Sequence, residues 1–206
     1  MDWKEIYKNK ITNAKEAVAH IKSGDRVVIG HACGEPQGLI NAMVANKDSY
    51  SNVEIVHMVP MGSGEYAKPG MEKHFRHNAI FTGGSTKDAV NSGRADFTTC
   101  FFHEVPKLFK KGYMKVDVAL IQVSSPDEHG YCSFGVSVDY TKAAAECAKI
   151  VIAQVNDQMP RTLGNSFIHV SEIDYIVEES KPMIELQPPK IGEIEKAIGE
   201  NCASLI

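Results

Sequence analysis

The side chains most able to do chemistry cluster between Ser124 and Gly135: Ser124-Ser125-Pro126-Asp127-Glu128-His129-Gly130-Tyr131-Cys132-Ser133-Phe134-Gly135. Serine, histidine and acid together suggest a nucleophile–base–acid set. Members of such sets normally meet through the fold, however, rather than along one turn. Pro126-Asp127 instead suits the start of a chain reversal and Gly130 its end, with Tyr131 to Val136 returning as a strand. Three carboxylates stand out as candidate nucleophiles, Glu35, Asp127 and Glu128. Each needs a pocket that desolvates and positions it, and charged side chains are mostly solvated. Five cysteines, none close to another in sequence, read as reduced thiols rather than disulfides or a zinc knuckle. His74 and His77 have helix-face spacing, but no Cys, Asp or Glu nearby completes a metal site, so no metal is expected.

Glycine-rich turns supply a second kind of chemistry. Gly30-His31-Ala32-Cys33-Gly34-Glu35-Pro36-Gln37-Gly38 allows close backbone approach, and a helix begun at Pro36 offers free N–H groups to an anion. Its spacing matches neither the dinucleotide fingerprint nor the P-loop. Gly62-Ser63-Gly64 places a hydroxyl between glycines without forming a nucleophile elbow. In Gly83-Gly84-Ser85-Thr86, a hydroxyl reads as a helix cap.

These turns must be carried by regular elements. Ile11, Ala14, Val18 and Ile21 predict a helix over about 11–23, started by Thr12 or Asn13 and ended at Gly24. Apolar runs predict strands at 26–29, 53–59, 79–82, 97–101, 116–123 and 149–155, with helices near 36–43, 86–92, 105–110 and 140–148. Strands alternating with helices, several apolar on both faces, imply an α/β fold. The sheet is open and mainly parallel, with helices on both faces and one antiparallel hairpin near 124–136. In such sheets ligands bind outside the carboxyl ends of the strands, where the glycine turns lie.

Hydrophobic residues make up 43% of the 206 and charged residues 23%, with a formal net charge of −4. Nothing here has the basic footprint of a nucleic-acid binder, and no apolar run is long enough to span a bilayer. With no long apolar core near the N-terminus, a cytoplasmic protein is expected. Lys181-Pro182 and Pro188-Pro189 bracket a less regular connector, which divides the chain into an α/β domain over 1–180 and a connector with the start of a helix over 181–206. That helix carries Ile191, Ile194, Ile198 and Leu205 and reaches Ile206 with no glycine cap, which reads as a boundary before a further domain.

Collinear segments along the whole chain carry a family resemblance. They are Asp2-Trp3-Lys4 with Ile6-Tyr7, Gly24-Asp25-Arg26-Val27, Glu35-Pro36 and Phe101-Phe102-His103-Glu104-Val105-Pro106. They continue through Val116-Asp117-Val118, Ser125-Pro126-Asp127 with His129-Gly130, and Gly135-Val136-Ser137 with Asp139-Tyr140. Ala153-Gln154-Val155-Asn156, His169-Val170-Ser171-Glu172-Ile173-Asp174, Gly192-Glu193 and Cys202-Ala203-Ser204-Leu205-Ile206 complete the set. Together they resemble the N-terminal domain of the acetyl-CoA hydrolase/transferase family.

The resemblance implies the N-terminal half of a short-chain acyl-CoA:carboxylate CoA-transferase, with a coenzyme A thioester as substrate and no permanently bound cofactor. It places the catalytic glutamate and a glycine-rich CoA loop in a C-terminal domain, so that no catalytic residue lies in this chain and the chain alone is inactive. By the same analogy Gly34, Glu35, Pro36, Gln37, Gly62, Ser63, Ser125, Pro126 and His129 line the acyl side of the cleft. The implied partners are an acyl-CoA, a short carboxylic acid, the chain's own C-terminal domain and further copies in a homo-oligomer. The alternatives are an acyl-CoA hydrolase of the same family or a non-catalytic metabolite-binding domain. A Rossmann dehydrogenase lacks its fingerprint here.

Overall fold

Asp2 opens the first helix by accepting a hydrogen bond from the Lys4 amide (3.2 Å). In the computed structural model, which describes residues 2–206, this helix α1 spans Trp3–Lys10, with Glu5 in its first turn and Lys8 and Lys10 in its last. The helix predicted over 11–23 shrinks to α2, Ala14–Val18, capped by the Asn13 side chain. Ile11 and Thr12 are taken elsewhere: Ile11 bridges Ile176, and the Thr12 amide donates to the Ile176 carbonyl (2.8 Å).

The main sheet contains β1 (Arg26–Ile29), β2 (Val53–Met58), β3 (Phe75–Phe81), β4 (Asp96–Phe97) and β5 (Val116–Val123). Two further strands, β7 (Ala148–Val155) and β9 (Tyr175–Glu178), complete it in the order β4-β3-β2-β1-β5-β7-β9. Every ladder in it is parallel. Helices α3 (Gln37–Ala45), α4 (Lys87–Asn91), α5 (Val105–Lys110) and α6 (Asp139–Cys147) form the crossovers, and α7 is Glu193–Ala203.

Period-2 alternation divides the core between the two faces of the sheet. Val27, Ile29, Val118 and Leu120 pack with α2 and α3, through Val18, Leu39 and Met43. Val28, Ala119 and Ile121 pack with α5 and α6, through Phe109 and Tyr140.

Some boundaries depart from the sequence pattern. The third strand begins at Phe75, so His77 is a strand residue rather than part of a helix face. It is buried, and its Nδ1 donates to the Ile55 carbonyl (3.0 Å). The fourth strand stops at Phe97, after which Phe101 and Phe102 turn outward. The reversal near 124–136 is present. The Asp127 amide donates to the Tyr131 carbonyl (3.0 Å) and the Ser124 amide to the Ser133 carbonyl (2.9 Å). The return strand β6 (Tyr131–Ser133) then builds its ladder antiparallel to β8 (Phe167–His169), as a separate two-stranded sheet. From Ser180 to Gly192 the chain has no helix or strand, and Ile194 and Ile198 of α7 are exposed. No helix among the described residues is long and apolar enough to cross a membrane.

Candidate functional site

The chain runs outward from β1 through β2 and β3 to β4, then returns to place β5 on the other side of β1. The loops leaving β1 and β5 therefore diverge, and a crevice opens between them at the carboxyl ends. The loop after β1 enters a 3-10 turn at Ala32–Gly34 through Ala32, whose φ of 49° is left-handed. Gly34 passes so close to the turn leading into α6 that a Cβ on it would lie 2.3 Å from the Ser137 Cβ. This tight path turns Glu35 inward, where it is 2% exposed, just before Pro36 and Gln37 begin α3.

The loop after β2 closes over that carboxyl. It leaves the strand through Val59, also left-handed at φ 48°, a costly conformation for a β-branched residue. The Met61 amide then donates to Glu35 Oε2 (3.1 Å), and the Gly62 amide bonds the same carboxyl. Gln37 Nε2 donates to Oε1. A Cβ on Gly62 would fall 2.2 Å from Oε1, so this approach needs glycine.

Beneath lies His57, fully buried, with Nε2 3.4 Å from Glu35 Oε2. Its Nε2 also lies 3.0 Å from the Gly30 carbonyl, which can only accept, so the proton sits on Nε2 and Nδ1 accepts from the Tyr66 hydroxyl (2.7 Å). Burial holds His57 well below the usual histidine range, so it is neutral and forms no ion pair with Glu35. Without a buried cation, burial dominates at Glu35 and pushes its carboxyl up to about 7. The Met61, Gly62 and Gln37 donors pull it down only in part. Glu35 is thus the desolvated carboxyl that the sequence alone did not reveal. Asp127 is a turn residue that accepts from the His129 and Tyr131 amides and pairs with Arg161 (2.9 Å), and Glu128 is exposed.

The floor of the site is made of amides. Gln122 at the end of β5 donates through Nε2 to the Glu35 carbonyl (3.1 Å), and its neighbour in register, Gln154 of β7, accepts from the Gly38 amide (3.0 Å). Asn156, just past β7, donates to Gln122 Oε1 (2.8 Å). Together with Cys33, Gln37 and residues Lys181–Ile184, Glu35, Gln122 and Gln154 line a cavity of about 210 Å³. Sequence reasoning passed over His57, Gln122, Gln154 and Asn156. The available signal was a polar residue inside or just after a run of apolar strand residues, as in Ala119-Leu120-Ile121-Gln122-Val123.

Gly34, Glu35, Pro36, Gln37 and Gly62 therefore come together around one carboxyl. Ser63 sits exposed on the outer side of the same loop. Ser125 and Pro126 line a separate cavity of about 520 Å³, with Trp3, Tyr7 and Glu178. His129 is exposed beyond it, with Nε2 3.5 Å from Glu128. Thr86 stands at the N-cap of α4 without the expected side-chain cap bond, and Ser85 donates to the Pro60 carbonyl instead (3.4 Å). No group of three or more His, Cys, Asp or Glu among the described residues is arranged to hold a metal. The cavity can offer amide and carboxyl donors to a carboxylate, or to an oxygen that gains negative charge during acyl transfer.

Residues 1–187 match the family profile described as acetyl-CoA hydrolase/transferase N-terminal domain. The chain is 69% identical to 4-hydroxybutyrate coenzyme A transferase of Clostridium kluyveri, over all of this chain and 48% of that protein. It is 34% identical to butyryl-CoA:acetate CoA-transferase of Anaerostipes caccae, over 89% of this chain and 42% of that protein. Among solved structures, 4-hydroxybutyrate CoA-transferase from Porphyromonas gingivalis superposes with a TM-score of 0.85 at 41% identity, covering all of this chain and 48% of that one. RipA from Yersinia pestis superposes at 0.93 with 27% identity, covering all of this chain and 50% of that one. The chain spans about half the length of the curated relatives it matches.

Proposed function

Since the chain belongs to the acetyl-CoA hydrolase/transferase family, as its N-terminal domain, we propose that it forms the acyl-side half of a short-chain acyl-CoA:carboxylate CoA-transferase. The observation that carries this reading is the Glu35 cavity. A buried carboxyl ringed by amide donors lies at the switch point of a parallel sheet, where α/β enzymes bind ligands.

In this reading residues 1–180 are the domain, and 181–206 are the connector toward a second half that brings the glutamate which takes the acyl group from coenzyme A. Gly34, Glu35, Pro36, Gln37 and Gly62 form the wall nearest the acyl carbon, with Ser63 at its outer rim, and the N–H, amide and carboxyl groups of that wall meet the charge that develops on the acyl oxygen. Ser125, Pro126 and His129, around the neighbouring cavity, form the outer wall. The nucleophile comes from outside this chain, and no cofactor is held permanently. The partners are an acyl-CoA, a short carboxylic acid, the second half and further copies of the protein, in the cytoplasm.

The test uses the protein at its natural length. With butyryl-CoA as donor, acetyl-CoA should form only when acetate is added, and a glutamyl-CoA thioester should be trapped by borohydride or hydroxylamine. CoA release that does not depend on acetate would replace the transferase by a hydrolase. Turnover by residues 1–206 alone would remove the need for a second half.

A further inference from the structure

The segment that roofs the Glu35 cavity has little to hold it. Residues 181–184 belong to no helix or strand, Lys181 and Pro182 are exposed, and Met183 and Ile184 are half-buried. Its attachment runs through buried amides. Asn156, 1% exposed, reads both sides of Lys181 as a neighbouring strand would. Its Nδ2 donates to the Lys181 carbonyl (2.8 Å) and its Oδ1 accepts from the Lys181 amide (3.2 Å). The same Nδ2 donates to Gln122 Oε1 and lies 3.5 Å from Met183 Sδ. Gln154 adds a second tie, from Nε2 to the Glu179 carbonyl (3.3 Å).

Each amide also reaches the opposite wall. Gln122 bonds the Glu35 carbonyl and Gln154 the Gly38 amide. One relay of hydrogen bonds therefore joins the loop that carries Glu35 to the segment that covers it. Buried amides are tolerated only when satisfied, and here all of these groups are. The roof itself is largely apolar, formed by Pro182, Met183 and Ile184 facing Cys33.

We propose that Asn156 is a positioning residue that clasps Glu179–Ile184 over the Glu35 cavity, and that this strap keeps water from the acyl group so that a carboxylate receives it. The proposal deepens the transferase reading and rests on it. Water exclusion matters because activated acyl groups hydrolyse when solvent reaches them. In such a leak the acyl–sulfur bond of the thioester breaks and the oxygen of water bonds to the acyl carbon. The two hydrogens of water end one on the acid and one on the CoA thiol.

Asn156→Asp keeps the shape but sets an oxygen against two acceptors, Gln122 Oε1 and the Lys181 carbonyl. Met183→Ala thins the roof and removes only the weak Asn156 Nδ2–Met183 Sδ contact, leaving the amide and main-chain bonds of the relay in place. Both are made in the protein at its natural length and measured well below its melting temperature. Hydrogen exchange of the Lys181 amide should quicken at least about tenfold in Asn156→Asp, with amides of β5 unchanged. With butyryl-CoA and acetate, the ratio of butyrate released by water to acetyl-CoA formed should rise about tenfold in both variants. A merely structural Asn156 would lower both products together and leave their ratio unmoved. An unchanged ratio with the strap released overturns the water-exclusion role, and an unchanged Lys181 exchange rate overturns the clasp. A wild-type protein that makes no acetyl-CoA overturns the transferase reading and the role of the strap with it, and the exchange measurement still decides the clasp.

Discussion

Glu35→Gln preserves the shape of the buried side chain and removes its ionisation, so it isolates the electrostatic consequence of the site. The Glu35 carboxyl is raised from 4.5 to about 7, with burial as the first cause. At about 1.4 kcal/mol per pH unit, that rise corresponds to about 3 kcal/mol. Between pH 4.5 and 7 the folded chain keeps a proton on Glu35 that the unfolded chain has released. Stability from this group therefore falls as pH rises through the window, and the full penalty applies above it. Buried histidines act in the opposite sense. His77 is held down to about 4, and His57 is lowered as well, both by burial. Each disfavours folding as pH falls below 6.5, where the unfolded imidazole takes a proton and the folded one does not. The two kinds of group oppose each other across the same acidic window, so the wild-type curve alone is not diagnostic. Subtraction is: both histidines are shared by the two proteins. Urea unfolding at pH 5 and pH 8 should show Glu35→Gln gaining about 2–3 kcal/mol on the wild type between the two conditions. A difference that stays the same at both pH values would refute a buried, proton-holding Glu35 and the cavity chemistry built on it.

The loop that supplies the Met61 and Gly62 amides is braced from below by Gly83, where a Cβ would lie 2.2 Å from the Pro60 carbonyl oxygen. A backbone atom cannot swing away, so Gly83→Ala should cost about 1–3 kcal/mol in urea unfolding. Gly84→Ala, with nothing within 4 Å, should stay within about 0.5 kcal/mol. The cysteines should separate by burial: at pH 8, iodoacetamide should label exposed Cys202 first. Cys132, fully buried with its thiol pushed up to about 12, should react only after unfolding, as read by peptide mass.

The elements that could be read in advance are those whose local pattern and tertiary environment agree. The run Val116–Val123 is apolar because both faces of β5 are covered, and Val105–Lys110 carries its proline where a helix tolerates it. Where a few residues depend on distant partners, the pattern was silent. Phe167–His169 is a strand because Tyr131–Ser133 pairs with it, and Tyr175–Glu178 because β7 does. The first helix presents Trp3, Ile6 and Tyr7 to the core but is otherwise polar, so its weak stripe carried only the family resemblance. At the site, the turn after β1 was legible from its glycines. The burial of Glu35 was not, because the cover comes from Met61, Gly62 and the strap, all remote in sequence.

The same remoteness explains why the polar residues of the strands form a site at all. In a parallel sheet covered on both faces, a glutamine inside a strand is a liability unless something at the strand end needs its hydrogen bonds. Gln122 and Gln154 are paired in register on adjacent strands, and Asn156 lies one residue past the end of β7. Each bonds main chain of the segments that close the cavity, and Gln122 and Asn156 also bond one another. Glu35 is then left with three neutral donors and a neutral histidine, and no cation. Such an environment tolerates either protonation state of the carboxyl near neutral pH. On the proposed function this has a chemical use. An acid substrate entering the cavity would then set a second carboxylate beside Glu35, and the repulsion between the two charges would favour a proton on Glu35 until a neutral thioester took that place.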